Sequence, residues 1–310
     1  DLEYNHAPLR FSITFCPFPL YREGKKRLHS TVKFSLSLFA LARPLNCLIT
    51  ALSVGVGALT SASALVSLPL LLAALSAALV TGAGNAFNDA IDIDIDRINR
   101  PDRPLPAGRL TRRTAFVETL LLGLAGLLLA ALISPFHLAV AGGVIGLLIT
   151  YSIYLKNSVL WGNIAIGIVA AAAFPYGALA VAETGRSWIP AGFALLFHLG
   201  REIVKDIEDV EGDRSLGLRT LPLRWGCRTA ARVAYVIYLF LIIFTLLPWI
   251  AGIYGSLYLG AVLLVDLLLL FALFRLHRQH AALSDDSLGR LLKAGMFLGL
   301  AAIVLGELAR

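Results

Sequence analysis

The chain has 310 residues, of which 58% are hydrophobic and 15% charged, against about 45–50% and 25% in soluble globular domains. Its mean hydropathy is +0.78 and its formal net charge is +7. These values exclude a disordered chain, a nucleic-acid-binding module and an enzyme with a polar skin. They point to a membrane protein with cationic loops.

The chain begins at Asp1 and its only methionine is Met296. Residues 1–33 mix prolines, aromatics and a basic cluster of Arg22, Lys25, Lys26 and Arg27. Phe11–Leu20 is short, contains Pro17 and Pro19 and lacks a small-residue cleavage site, so the expectation is a cytoplasmic tail or an upstream artefact, not a signal peptide. Residues 34–310 are expected to form one transmembrane domain. Cys16, Cys47 and Cys227 lie far apart, so neither a disulfide framework nor a metal-ligand spacing follows from them.

Nine apolar segments follow, near 44–62, 68–88, 114–133, 137–155, 159–182, 188–205, 229–249, 254–275 and 288–308. Each approaches the ~20 residues that cross a bilayer as a helix, and none alternates in polarity as a membrane barrel strand does. Their connections put 25 of the 27 Lys and Arg residues on one side, leaving only Arg186 and Arg310 on the other. The positive-inside rule then sets the N-terminus in the cytoplasm and the C-terminus outside, which an odd number of spans satisfies. The expected fold is an all-α membrane bundle of nine transmembrane helices.

Eleven of the 20 acidic residues fall in two short stretches at cytoplasmic ends of spans. The first holds Asp89, Asp92, Asp94, Asp96 and Asp102; the second holds Glu202, Asp206, Glu208, Asp209, Glu211 and Asp213. Both follow one pattern. Asp89-x2-Asp92-x3-Asp96-Arg97 precedes Arg103-Pro-Leu-Pro, and Asp206-x2-Asp209-x3-Asp213-Arg214 precedes Arg219-Thr-Leu-Pro. The acidic positions match at an offset of 117 residues, so two pseudo-equivalent halves are expected to meet at one shared site. On continuous helices, Asn85, Asn88, Asp89, Asp92 and Asp96 share an arc of about 100°, and Glu202, Asp206, Asp209 and Asp213 one of about 60°. Asp94, Glu208 and Glu211 point elsewhere, and Gly212 threatens to end the second helix early.

Dense carboxylates beside a hydrocarbon core require a cation. Oxygen-only ligands suit Mg²⁺, which commonly binds through a few carboxylates together with substrate phosphates. Two acidic faces therefore imply a diphosphate between them. Arg97, Arg103, Lys205, Arg214 and Arg219 are candidates for its oxygens. Lys156, the only basic residue at the end of its span, follows Tyr151 and Ser152 on one helix. Arg43, Asn46 and Thr50 form a polar stripe entering the first span. His198 lies on the acidic face of the sixth span. Asp266 lies inside the eighth with no obvious partner.

The Asn88-Asp89-x2-Asp92-x3-Asp96 motif, Arg103-Pro-Leu-Pro-x-Gly-Arg109, the Tyr151-Ser152 and Lys156 segment and the second Asp209-x3-Asp213 resemble the UbiA-type intramembrane prenyltransferases. The resemblance covers roughly residues 38–308. It implies nine helices in a ring, two Mg²⁺ ions and an isoprenyl diphosphate donor. Arg43-Pro-Leu-Asn46-Cys47, the Asp96–Pro104 segment and the Arg201–Arg214 segment look most like the members that make the second ether bond of archaeal-type lipids. Those members transfer a geranylgeranyl group to the hydroxyl of geranylgeranylglyceryl phosphate. By this resemblance Asn88, Asp92 and Asp96 hold one Mg²⁺, and Asp209 and Asp213 the other, with Asp206 beside them or at the reacting centre. Lys156, Arg103 and Lys205 face the diphosphate, and Tyr151 and Ser152 line the reacting centre. Arg43 and Asn46 stand where head groups enter, and Asp89 and Glu202 orient substrate or ligands.

The chemistry implied is ionisation of an allylic diphosphate, with aromatic faces such as Tyr151, Tyr154 and Phe174 available to the cation. Membrane lipids surround the protein, and the active site is expected to face the cytoplasm of the cell membrane. An aromatic or tetrapyrrole acceptor, and more distantly a transporter of Mg²⁺ or an organic anion, are the alternative functions. The transporter predicts acids deep in discontinuous helices rather than at one face.

Overall fold

The computed structural model describes residues 32–61, 67–181, 184–278 and 287–310. The expected tail therefore lies almost wholly outside the described residues. Among the described residues all regular structure is helical. The long helices are α2 (Pro44–Leu59), α3 (Leu68–Ile91), α5 (Arg112–Ile133), α6 (Pro135–Ile153), α7 (Trp161–Leu179), α8 (Trp188–Glu208), α11 (Cys227–Ile250), α12 (Ser256–Arg278) and α13 (Ser287–Leu308). Short helices α4 (Ile93–Asn99), α9 (Val210–Ser215) and α10 (Leu221–Trp225) lie between them. A lead-in helix, α1 (Val32–Leu41), bends into α2 by 48°.

Each of the nine apolar segments is helical, but only seven described helices are long and apolar enough to cross a membrane, or eight if bent α1–α2 counts as one span. The two that fall short do so for physical reasons. Helix α2 has 16 residues, and the last two turns of α8 carry Arg201, Glu202, Lys205, Asp206 and Glu208.

Local chemistry sets several starts. The Ser67 hydroxyl accepts the Leu70 N–H, Thr111 accepts that of Thr114, and Ser134 accepts that of His137. Each satisfies a donor that a helix leaves unpaired at its first turn. Arg43, at the start of α2, takes a left-handed backbone (φ 54°, ψ 71°). It is the only non-glycine residue with positive φ among those described, a conformation costing about 1–2 kcal/mol.

Helices α2 and α7 meet backbone to backbone at two glycines. A Cβ on Gly57 would lie 1.9 Å from the Phe174 carbonyl oxygen, and one on Gly177 1.9 Å from that of Val54. Only glycine permits this crossing. At the end of the bundle away from the acidic stretches, Arg186 pairs with Glu307 at 3.0 Å. Tyr254 donates to the same carboxylate at 2.8 Å, tying the α7–α8 connection to α13.

Candidate active site

The two acidic stretches do not lie on continuous helices. Helix α3 ends and α4 begins at Asp92, and α8 ends and α9 begins at Asp209. Gly212 does not end its helix. It lies inside α9, where a Cβ would sit 2.4 Å from the Asn99 amide nitrogen. Helices α4 and α9 pack together, and Asn99 bridges them. It donates to the Asp209 carbonyl at 3.3 Å and accepts the Gly212 N–H at 3.2 Å. The expected convergence of the two stretches is thus a direct helix–helix contact.

The acids and cations interlock. Lys156 reaches Asp92 at 2.6 Å. Arg103 reaches Asp96 at 2.6 Å and Asp89 at 3.4 Å. Arg43 pairs with Asp89, and Arg100 meets Asp209 at 2.6 Å. Glu202 is held by Arg201 at 2.8 Å and Lys205 at 3.5 Å, and Asp206 accepts from the Asn163 amide at 2.8 Å. Asp89, Asp92, Asp96, Glu202 and Asp213 are all buried. Burial pushes the Asp96 carboxyl up against the pull of Arg103. It pushes Asp213 up to about 6, with Lys156 opposing and Asp209 adding to the rise. Among the described residues no three metal-binding side chains converge on one point, because cations stand between the carboxylates.

A cavity of about 480 Å³ opens at this cluster. Arg43, Asn46, Asn88, Arg103, Glu202 and Lys205 line its polar mouth, with Tyr151 and Ser152 beside them. Its interior is walled by apolar residues including Val144, Phe193, Leu241 and Val262. The Asn88 amide nitrogen is buried without a hydrogen-bond partner among the described residues. Ser152 is buried, and its hydroxyl donates to the Leu148 carbonyl at 3.0 Å.

Several expected residues stand elsewhere. Arg97 is exposed and pairs with the equally exposed Asp94 at 2.7 Å. Arg214 and Arg219 are exposed on the connection after Asp213. Tyr154 is 71% exposed, because it is the residue at which α6 unwinds. Phe174 lines the cavity but lies deep, thirteen residues along α7 from Trp161. Glu208 does not point idly away: it lines the cavity and accepts the Gly289 N–H at 3.2 Å, capping the start of α13. Asp266 has a partner after all, the Thr245 hydroxyl at 3.2 Å. His198 lines the cavity with its Nδ1 against the Ala194 carbonyl.

Sequence reasoning missed Arg100, Asn163, Arg201 and Lys293 as members of this site. Arg100 was visible as one more arginine in the Asp96–Pro104 run. Asn163 and Lys293 come from helices without an acidic stretch, and nothing in their local sequence marks them.

Fold and site together define a membrane enzyme whose charged centre stands at the mouth of an apolar cavity. The UbiA prenyltransferase family matches residues 47–300, and the chain belongs to that family and is a prenyltransferase. A digeranylgeranylglyceryl phosphate synthase of Methanopyrus kandleri is 39% identical over 268 residues, 85% of this chain and 96% of that protein. A structure solved for insight into digeranylgeranylglyceryl phosphate synthase in membranes is 30% identical, with a TM-score of 0.68 over 89% of this chain and 99% of that one. A UbiA homologue from Archaeoglobus fulgidus, bound to DMAPP and Mg²⁺, shares the fold at 20% identity. Its TM-score is 0.65 over 86% of this chain and 99% of that one.

Proposed function

We propose that this prenyltransferase moves a geranylgeranyl group from its diphosphate to the hydroxyl of geranylgeranylglyceryl phosphate, forming an ether lipid. The observation that carries this reading is the near full-length likeness to digeranylgeranylglyceryl phosphate synthases. The joined acidic stretches over an apolar cavity supply the chemistry that such a transfer needs.

The donor set fits Mg²⁺. Asp92 and Asp96 on one bend, with the Asn88 side-chain oxygen one turn earlier, offer only oxygen ligands, while the Asn88 amide nitrogen, unpartnered among the described residues, is a donor left for a phosphate oxygen. Asp209 and Asp213 offer two carboxylates on the other, where Lys205 stands in the place of Asn88. Lys156, Arg103 and Arg100 neutralise these carboxylates and would face phosphate oxygens if Mg²⁺ took over that neutralisation. Mg²⁺, when bound, takes up charge on the departing diphosphate.

The chain's own residues do the rest. Lys156, Arg103 and Lys205 hold the diphosphate as the allylic C–O bond breaks. Tyr151 presents a ring face to the carbocation, and the apolar walls exclude water from it. Ser152 and Asp206 line the reacting centre. Arg43 and Asn46 receive a head group, and Asp89 fixes the Arg43 guanidinium. Nine helices embed the protein in the cell membrane, α2 and α8 completing the seven apolar ones. The acidic face and the N-terminus are cytoplasmic, and the two halves are pseudo-equivalent about the α4–α9 contact.

The test offers purified protein labelled geranylgeranyl diphosphate with three competing acceptors: geranylgeranylglyceryl phosphate, its dephosphorylated form and 4-hydroxybenzoate. The phosphorylated lipid should be prenylated in preference. Turnover of the aromatic acid with none of the lipid phosphate would reject the reading.

A further inference from the structure

The glycine crossing of α2 and α7 divides the deep part of the cavity. On α2, Val54 and Ala58 pack with Ala73, Ala173 and Tyr176 on one side. Val56 packs with Phe174, Tyr258, Val262 and Ile303 on the other. Adjacent residues of α7 thus face opposite ways, Ala173 toward α3 and Phe174 toward α12 and α13. With backbones in contact at Gly57 and Gly177, no chain passes between the two helices there.

Cavity-lining residues fall on both sides of this partition. Ser76, Ala77, Val80, Val140 and Val144 belong to a first lobe among α3, α6 and α7, and Phe193, Thr245, Val262, Leu300 and Ile303 to a second among α8, α11, α12 and α13. Each lobe has a buried tyrosine with a bonded hydroxyl. Tyr176 shares its hydrogen bond with Ser76 at 3.0 Å, and Tyr258 donates to the Thr245 carbonyl at 2.6 Å. The lobes are equally deep. From Asn88 to Ser76 along α3, and from Arg290 to Ile303 along α13, the wall drops about 18–20 Å at 1.5 Å per residue.

The mouths differ in charge. The first lobe opens beneath Asn88, Tyr151 and Ser152. Two helices of the second, α8 and α13, bring Arg201, Glu202, Lys205, Glu208, Arg290 and Lys293 to the cavity wall at this end, four cations against two carboxylates. Arg201 gives one guanidinium nitrogen to Glu202, yet its Nε is buried with no partner among the described residues. Lys293 is half-buried. Its charged neighbours are Arg201 and Arg43, and among the described residues no carboxylate lies within ion-pair reach of it. Positive charge in this corner is left for an anion to neutralise.

Resting on the function proposed above, we infer that the second lobe seats the acceptor: a phosphate-headed isoprenoid lipid, its phosphate on Arg201 and Lys293 and its chain against α12 and α13. The donor's chain occupies the first lobe. Two chains of similar length then lie in two pockets of equal depth, their heads meeting at Tyr151.

Two positions allow each lobe to be filled separately. A side chain on Gly299 of α13 enters open space within the second lobe, and Ala77 of α3 lines the first. Steady-state kinetics of wild type, Gly299→Phe, Gly299→Leu, Lys293→Gln and Ala77→Phe should be measured with long- and short-chain forms of both substrates. The two Gly299 variants and Lys293→Gln should raise the acceptor KM about tenfold, equivalent to ~1.4 kcal/mol, with the donor KM within twofold of wild type. A geranyl-tailed acceptor should erase the Gly299 defects but not that of Lys293→Gln. Ala77→Phe should raise the donor KM and be relieved by a shorter donor. A retained donor KM also shows that the variants are folded. Wild type inactive on the lipid phosphate would overturn the proposed function and the lobe assignment with it. Wild-type turnover, with Gly299 variants that leave the acceptor KM unchanged or raise both KM values equally, would overturn the lobe assignment alone.

Discussion

Asp92 and Asp209 occupy the same point of two bends. Each closes one helix and opens the next, and their backbones nearly coincide, at φ −87°, ψ 9° and φ −91°, ψ 7°. The N–H of each bonds four residues back, to Asn88 and Lys205. The 117-residue offset between the acidic motifs is therefore a repeat of backbone shape as well as of residue type. At each bend the side chain turns to a cation on another segment, Lys156 for Asp92 and Arg100 for Asp209.

Asp92→Ala and Asp209→Ala should each lower product formation by about 10²-fold or more, the scale of losing a group that stabilises leaving-group charge. Radiometric product assay with and without chelator checks this. Full activity in chelator, or in either variant, would refute a two-metal site.

The other acids should separate by environment. Asp94→Asn and Glu211→Gln should leave turnover within about twofold, because both side chains are exposed and surface pairs such as Asp94–Arg97 contribute under ~1 kcal/mol. Glu208→Gln should lower the unfolding temperature measurably, because it weakens the acceptor that holds the first turn of α13. Equal melting of Glu208→Gln and Asp94→Asn would contradict the capping role.

Arg43 combines a left-handed backbone with the ion pair to Asp89. Arg43→Gly relieves the backbone while removing the guanidinium, whereas Arg43→Ala removes the guanidinium and keeps the strain. Arg43→Gly should unfold at a higher temperature than Arg43→Ala, with both losing activity on the lipid phosphate. If Arg43→Gly keeps wild-type activity, the side chain serves only the bend.

Gly177→Ala should be among the most damaging single-methyl additions, costing at least about 3 kcal/mol, because the new carbon meets backbone that no rotamer change can move. Gly299→Ala, which meets nothing within 4 Å, is the control. Thermal unfolding in detergent compares them.

Protonation gives a fifth handle. The folded pKa of Asp213, about 6, lies above its ordinary value because burial disfavours the charged form. A raised carboxyl pKa means that the metal-free fold is favoured when Asp213 is protonated and loses stability as pH rises through about 6. In chelator the unfolding temperature should therefore fall between pH 5 and pH 7.5, and Mg²⁺ should restore more of it at the higher pH. An unfolding temperature that rises over that interval in chelator would contradict this.

Hydrophobic run lengths made the helices legible in the sequence, and the repeated acids made the site legible. What stayed hidden was geometric. The phase argument set Asp96 inward and Asp94 outward, as they stand, but it assumed unbroken helices and so showed neither the break at Asp92 nor the docking of α4 on α9. Arg97 and Arg103 looked alike as arginines near aspartates. Arg97 stays on the exposed face of α4 beside Asp94, whereas the loop after α4 brings Arg103 back onto Asp96. The Thr245–Asp266 pair joins helices α11 and α12, and the Asn163–Asp206 pair joins α7 and α8. No local spacing rule encodes either.

The bridge made by Asn99 bears on how such a repeat can change. Counting by the 117-residue offset, Asn99 corresponds to Leu216 and Gly212 to Ile95. One copy thus supplies an amide arm and the other the notch that receives it. The two copies are lock and key, not twins. A chimera carrying the first copy twice would press a branched isoleucine side chain into the place where Asn99 now rests on bare backbone, and one carrying the second copy twice would set a leucine in place of Asn99, which pairs with neither the Asp209 carbonyl nor the Gly212 N–H. Any swap of segments between the copies must therefore exchange both positions at once, or the two bends lose their common footing.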